Sequence, residues 1–200
     1  MRIKLEKYPQ ELSNLSHICG IDEVGRGCLS GPVFAGAVIL PKEFESDLIR
    51  DSKKLSEKKR IEAFELIKEK ALSWSYCSVD PDIIDRDNIQ QATYSAMYYA
   101  IKNLDIKPEH LLVDGNIFEN KTDIPHTCVI KGDNKYLSIA AASIVAKVIR
   151  DDYMVKIDKF YPQYNWKSNK GYGSKEHIEK ILSEGTTPHH RKSFLKKILS

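Results

Sequence analysis

Ile18-Cys19-Gly20-Ile21-Asp22-Glu23-Val24-Gly25-Arg26-Gly27 starts as a short apolar run and ends on two adjacent acids and a glycine-flanked arginine. The run reads as a buried strand, and an unpaired charge buried at its end would be costly. Two acids there, followed by Gly25-Arg26-Gly27, point to a hard cation on one side and a phosphate on the other. Consecutive strand residues face opposite ways, so Asp22 and Glu23 cannot both aim at one ion from a regular strand. A bulge or strand end is therefore expected at Glu23, with its side chain or carbonyl turned to the metal.

Outward from this stretch, residues 33–40 form a second apolar strand stopped by Pro41, close enough to pair with the first as a hairpin. Ser56 caps an expected helix over 57–71, and 74–79 is a third strand. Asp80-Pro81 and Asp87-Asn88 are helix-start signals ahead of an amphipathic helix over 89–103. Residues 111–114 and 127–130 are strands running into Asp114 and Asp133. A long helix over 136–160 opens on small residues, Ile139-Ala140-Ala141-Ala142-Ser143, suited to lying close on a sheet. A short helix follows over 174–182. The order predicts an α/β layer with a mixed five-stranded sheet flanked by helices. Residues 1–160 form the main layer, and 161–200 a small helical C-terminal subdomain of the same functional unit.

The chain has 200 residues, 42% hydrophobic and 30% charged, enough for one sizeable core. No apolar stretch approaches the ~18 residues of a membrane span, and Met1-Arg2-Ile3-Lys4-Leu5-Glu6-Lys7 has no secretory h-region. Cys19, Cys28, Cys77 and Cys128 form no C-x-x-C pair, which argues against a zinc site or disulfide framework and for a reducing cytoplasm. From Tyr161 onward eight Lys/Arg face three Asp/Glu, while the remainder carries 23 basic against 25 acidic residues. This basic tail is either a solvated face or a polyanion-facing one.

Three strand ends thus deliver acids: Asp22 with Glu23, Asp114, and Asp133. If the first and fourth strands are neighbours, Asp22 and Asp114 face each other. Acids converging without Lys or Arg partners repel one another and call for divalent cations. All-oxygen ligands select Mg²⁺ or Mn²⁺, and two such ions about 3.5–4 Å apart are a usual device for phosphodiester hydrolysis. Any one Asp at a strand end is ordinarily a turn or cap residue. Asp22-Glu23 resists that explanation, because a second acid adds nothing at a cap. Gly25-Arg26-Gly27-Cys28-Leu29-Ser30-Gly31 is not a dinucleotide fingerprint, since its last spacing is three residues and it leads into a strand. Its glycines let backbone amides approach a sugar or phosphate; a plain tight turn explains the same residues. Tyr172, between Gly171 and Gly173 in the basic segment, can stack on a base or sugar, or simply pack on its own subdomain. His189-His190-Arg191-Lys192-Ser193-Phe194 is basic without metal-ligand spacing, which points to phosphate contact.

These blocks, together with Gly31-Pro32-Val33, Asp51-Ser52-Lys53-Lys54-Leu55, Val113-Asp114-Gly115, Lys131-Gly132-Asp133, Ser138-Ile139-Ala140-Ala141-Ala142-Ser143-Ile144-Val145-Ala146-Lys147-Val148, Lys170-Gly171-Tyr172-Gly173 and His190-Arg191-Lys192-Ser193-Phe194, resemble bacterial ribonuclease HII, in order and over nearly the whole chain. The resemblance implies a ribonuclease-H-like fold. It implies a metal-dependent endonuclease that cuts the RNA strand of RNA–DNA hybrids and incises 5′ of a ribonucleotide embedded in duplex DNA, leaving 3′-OH and 5′-phosphate ends. Asp22, Glu23, Asp114 and Asp133 match the metal-binding acids, for two Mn²⁺ or Mg²⁺ ions. Gly25, Arg26 and Gly27 match the loop that contacts the junction 2′-OH, and Tyr172 the tyrosine that stacks on the following deoxyribose. Lys53 and Arg191 join the expected substrate contacts. A cytoplasmic monomer is expected. Cys28 and Ser30 depart from the family pattern, which commonly has proline and a small apolar residue there. Fewer than twenty residues precede the first strand, favouring this family over ribonuclease HIII with its extra N-terminal domain. Two rivals remain: a non-catalytic hybrid-binding module, which has no need of four acids, and a resolvase-like nuclease, which has no need of a junction-reading tyrosine.

Overall fold

A computed structural model describes residues 5–200; residues 1–4, part of the stretch examined above for an export signal, lie outside the described residues. The elements run β1 (Ile18–Val24), β2 (Val33–Ile39), α1 (Glu57–Lys70), β3 (Ser73–Val79), α2 (Pro81–Lys102), β4 (His110–Asp114), β5 (His126–Val129), α3 (Leu137–Asp158), α4 (Trp166–Asn169), α5 (Lys175–Glu184) and α6 (Lys192–Leu199). The sheet order is β3-β2-β1-β4-β5. β1, β2 and β3 pair antiparallel, whereas β4 joins β1, and β5 joins β4, in parallel. The five-stranded mixed sheet expected from the sequence is present, and β1 is the strand where its direction pattern changes.

The two faces of β1 and β2 are built differently. Ile21, Ala35 and Ala37 pack with Ala96, Met97 and Ala100 of α2 in one buried cluster. On the other face, Val38 packs with Ala140, Ala141, Ala142, Ile144 and Val145 of α3. There α3 lies almost on the strands. A methyl group added at Gly20 would sit 2.1 Å from the Ser138 carbonyl carbon, and one at Gly36 would sit 2.4 Å from the Ala142 oxygen. The alanine-rich start of the helix and the two glycines are thus one packing solution, small residues meeting missing side chains.

α1 begins at Ser56, whose hydroxyl accepts the Lys59 N–H. α2 starts earlier than its amphipathic pattern alone suggests, at Pro81, and bends at Asn88, which adopts φ 69°. The Asn88 Oδ1 accepts the N–H groups of Gln90 and Gln91, so the chain makes two helix starts in succession, one at each signal. α6 has no precedent in the sequence reading. Its first N–H groups, at Lys192 and Ser193, are capped by the carboxylate of Asp85 from α2, a partner 107 and 108 residues away that no local pattern reveals.

The C-terminal segment packs Tyr164, Trp166, Ile181 and Leu195 with Met154 and Ile157 of α3. Among the described residues no helix is long and apolar enough to cross a membrane.

Because the contacts at Gly20 and Gly36 are with backbone, which cannot swing aside, Gly20→Ala and Gly36→Ala should each cost at least the ~1–3 kcal/mol typical of core overpacking. Urea unfolding checks this; an unshifted midpoint in Gly20→Ala would mean that α3 stands off the sheet.

Candidate active site

Parallel pairing of β1 with β4 sets Ile21 opposite Val113, so the next residues, Asp22 within β1 and Asp114 at the end of β4, stand side by side on adjacent strands. Asp22 is 5% exposed. Its face is that of Gly36, its cross-strand partner, and therefore of α3. Ser143 of α3 hydrogen-bonds the Asp22 carboxylate, and the Glu23 N–H donates to its Oδ1 at 2.7 Å. Asp114 accepts the Gly132 N–H at 2.6 Å, which ties it to the turn carrying buried Asp133. The Asn134 side-chain amide in turn donates to Asp133 Oδ1 at 2.9 Å.

Glu23 is a correction. No bulge or strand end occurs there: pairing with β2 continues through Glu23 opposite Ala35 and Val24 opposite Phe34. The register keeps Glu23 on the α2 face, where its carboxylate lies 3.6 Å from the Arg26 guanidinium. Even so, it shares the electrostatics of the site. Burial, then the charges of Glu23 and Asp114, push the Asp22 carboxyl well above the usual carboxylate range. Burial and Asp114 raise Glu23 against the opposing pull of Arg26. Burial and Asp133 raise Asp114 against the Gly132 N–H. Like charges are held together here, and at Asp22, Asp114 and Asp133 no lysine or arginine forms an ion pair with them among the described residues. Among the described residues the only ion pair to any of the four acids is Arg26 with Glu23. Among the described residues no three acidic, histidine or cysteine side chains are gathered closely enough to hold an ion as they stand. The all-oxygen donor set and the uncompensated repulsion fit hard divalent cations.

Lys53 is exposed on the turn after Asp51, and its charge acts on Asp114. That turn is fastened to the acids twice. The Ser52 and Ser143 hydroxyls share a hydrogen bond of 3.1 Å, continuing the chain from Asp22. Asn134 reaches Asp51 at 3.4 Å and accepts from Lys54 at 2.6 Å.

Gly25 and Gly31 bracket an excursion between β1 and β2 that exposes Arg26 and Gly27. Gly25 has φ 91°, and a methyl group there would fall 2.2 Å from Arg150 Nε. Arg150 is fully buried in α3 and bonds only to carbonyl oxygens: Nε to Pro32 at 3.1 Å, Nη2 to Ser30 at 3.1 Å and Nη1 to Lys170 at 2.9 Å. Arg191 does the same from the C-terminal segment, donating to Gly31 at 2.9 and 2.7 Å and to Arg26 at 2.8 Å. The expectation that Arg191 meets a phosphate is not fulfilled; it is fully buried, and so is His190 beside it. Its guanidinium instead supplies the donors that these inward-turned carbonyls need. Arg150 carried no sequence signal, because its setting in Lys147-Val148-Ile149-Arg150-Asp151-Asp152 resembles a solvated helix face.

Tyr172 stands on the opposing loop, 44% exposed. Gly171 accepts the Leu29 and Ser30 N–H groups at 2.8 and 3.2 Å, which joins the two loops. The Cys28 thiol donates to the Lys170 carbonyl at 3.7 Å, and burial, then the neighbouring Cys28, pushes the Tyr172 pKa up. The structure therefore links Lys53 to Asp114 through charge, Arg26 to Glu23 through an ion pair and the Tyr172 loop to the Gly25–Gly31 excursion through Gly171, and removes Arg191 from the exposed set.

A five-stranded mixed sheet with α3 on one face and acids on the neighbouring central strands β1 and β4 defines a ribonuclease-H-like hydrolase fold. It overlays on the ribonuclease H2 of Pyrococcus horikoshii OT3 with a TM-score of 0.78, at 24% identity, covering 92% of this chain and 97% of that one. It also overlays on the ribonuclease HII solved with PCNA from Archaeoglobus fulgidus, with a TM-score of 0.73 at 27% identity, over 88% and 94% of the two chains. The sequence profile of ribonuclease HII matches residues 19–197. A ribonuclease HII of Bacteroides thetaiotaomicron is 54% identical over 175 residues, 88% of each chain. The chain belongs to the ribonuclease HII family. It is an enzyme, a hydrolase of the ribonuclease H type.

Since repulsion at Asp22 is uncompensated in the metal-free protein, Asp22→Asn should raise the metal-free melting temperature by a few degrees; about 1 kcal/mol moves a chain of this size by ~2–4 °C. Mn²⁺ should raise the wild-type value and move the variant less. Scanning fluorimetry in EDTA and in Mn²⁺ measures both, and a variant that melts lower in EDTA contradicts the electrostatic account.

Proposed function

We propose that this ribonuclease hydrolyses the RNA strand of RNA–DNA hybrids and incises 5′ of single ribonucleotides in duplex DNA, leaving 3′-OH and 5′-phosphate ends. The carrying observation is the pairing of buried Asp22 with Asp114 on adjacent parallel strands, coupled to Glu23 and Asp133. Those four residues would hold two Mg²⁺ or Mn²⁺ ions, whose chemistry when bound is to activate water and to neutralise the leaving oxygen.

The chain's own residues set everything else. Ser143 and the Glu23 N–H fix the Asp22 carboxylate, and the Gly132 N–H fixes Asp114. Lys53 is an exposed cation whose charge reaches Asp114, suited to a phosphate of the cut strand. Carbonyls of the Gly25–Gly31 excursion are turned inward onto Arg150 and Arg191, which leaves the Arg26-Gly27 edge outward to approach a 2′-OH. Tyr172, on the segment tied to the same excursion through Gly171 and through Cys28 to Lys170, supplies the ring that packs on the next deoxyribose. A hydroxyl-bearing sugar 5′-adjacent to DNA is thus read between two loops that share a framework. The C-terminal segment from residue 161 works as one unit with the catalytic layer. Four free cysteines fit a reducing cytoplasm, and the protein is proposed to act as a monomer.

A non-catalytic hybrid-binding module would gain nothing from buried acids that repel phosphate. Asp22→Asn should lower turnover at least ~10³-fold while hybrid binding stays within about twofold; retained turnover removes Asp22 from the site. Tyr172→Ala should weaken cleavage at a single ribonucleotide more than it weakens duplex binding. Equal losses would leave Tyr172 only a prop for the tail. A gel of a singly ribo-substituted duplex with Mg²⁺, Mn²⁺ or EDTA, alongside filter binding, reads both variants.

A further inference from the structure

Behind Tyr172 lies a buried pair of histidines that the catalytic proposal does not use. His177 is fully buried and His190 nearly so. Their hydrogen-bond partners fix which nitrogen carries each proton. The Trp166 indole N–H can only donate, and it reaches His177 Nε2 at 3.0 Å. That nitrogen is therefore the acceptor, and the proton sits on Nδ1, which donates to the Tyr172 carbonyl at 2.8 Å. The Thr187 N–H likewise donates to His190 Nδ1 at 3.0 Å, placing the His190 proton on Nε2. This second proton points at His177 Nε2 at 3.3 Å, and Ser30 Oγ lies 3.3 Å from the same atom. Burial, then the neighbouring histidines, hold His190 down at about 4, and burial lowers His177, so both are neutral near pH 7.

We infer that His177 is a positioning residue that sets Tyr172 against the substrate-facing loop. One ring joins three parts of the chain. Its Nδ1 holds the Tyr172 backbone, its Nε2 faces Ser30 at the end of the Gly25–Gly31 excursion, and Trp166 with His190 fixes the ring plane. Ser30 thus supplies a polar contact at the junction of the two loops. The inference rests on the proposed substrate role of Tyr172 for its effect on catalysis, but not for its effect on structure.

Two substitutions separate the two ring nitrogens. In His177→Asn the amide lies where Nδ1 was and can still donate to Tyr172, leaving the Trp166 N–H unpaired. In His177→Gln the amide reaches the place of Nε2 and can accept from Trp166, but the Tyr172 carbonyl loses the ring donor and keeps only the Ser174 N–H at 2.9 Å. Both variants lose buried packing, so a general loss of stability affects both.

The expected result is a fall in kcat/KM at a single ribonucleotide, relative to duplex affinity, of about fivefold in His177→Gln, the factor one ordinary hydrogen bond is worth. His177→Asn should stay within about twofold. Amide exchange over residues 169–173 should quicken in His177→Gln and not in His177→Asn. Like behaviour of the two variants in exchange overturns the inference. Should Tyr172→Ala itself leave the cleavage-to-binding ratio unchanged, the substrate role of Tyr172 falls, and exchange alone decides the role of His177.

Discussion

The distance between α3 and the sheet governs most of this molecule. Two glycines on neighbouring strands, Gly20 and Gly36, remove the side chains that would hold the helix off, and the alanines of α3 complete the fit. Seated that low, α3 delivers Ser143 to Asp22 and Arg150 to the carbonyls of Ser30, Pro32 and Lys170. One turn further on, Met154 enters the C-terminal cluster. A helix a few ångström higher would lose the hydrogen bond to the acid, the support of the loop and the seat of the C-terminal segment together. Protein interiors transmit such displacements because they are close-packed.

Charge is distributed so that opposite signs are buried near one another without neutralising. Burial raises Asp22, Asp114 and Glu23 alike, with Glu23 and Asp114 adding to Asp22, Asp114 to Glu23, and Asp133 to Asp114. Arg150 and Arg191, equally buried, bond to carbonyl oxygens instead of to these acids. A guanidinium has five donors in a rigid fork, so backbone oxygens at several positions can satisfy it without a carboxylate. Had either arginine paired with an acid, the site would be a structural ion pair with no deficit for a divalent cation to fill. Arg26 comes nearest to doing so, at 3.6 Å from Glu23, and it is exposed and free to exchange that partner for another anion.

Much of this could be read along the chain because its causes are local. Apolar runs gave the five strands, the Ser56 cap gave α1, and the small-residue run in α3 announced close packing. Adjacent acids after a buried strand marked the site, and parallel pairing of β1 with β4 placed Asp22 beside Asp114. What stayed hidden depends on partners far apart in sequence. Arg150 looks like part of a charged helix surface until Gly25, 125 residues earlier, turns under it. Arg191 looks like a phosphate ligand until Gly31 and Arg26 present their carbonyls. α6 lacks a local cap because Asp85 provides one. The regular strand through Glu23 ran against an argument that was sound for one ion and one face, but β2 continues to pair past that residue and holds it straight.

The boundary drawn at residue 161 separates the charges better than it separates the structure. Met154 and Ile157 lie on one side of it and Tyr164, Trp166 and Leu195 on the other, within one cluster. Arg191 crosses back to hold the excursion between β1 and β2. The positive excess of the tail changes meaning accordingly. Arg191 is removed from solvent, and Lys175 and Lys180 have Glu179 and Glu184 within 3.8 Å. Lys167, Lys192, Lys196 and Lys197 remain exposed. The tail is therefore two things at once: an internal brace whose cation serves the backbone, and a sparse outer set of lysines available to a polyanion. Cys28 and Ser30 both lie on the braced side. The Cys28 thiol donates to the Lys170 carbonyl at 3.7 Å, and the Ser30 hydroxyl faces His177 at 3.3 Å. The excursion between β1 and β2 is thus fixed by side-chain hydrogen bonds to the segment that carries Tyr172.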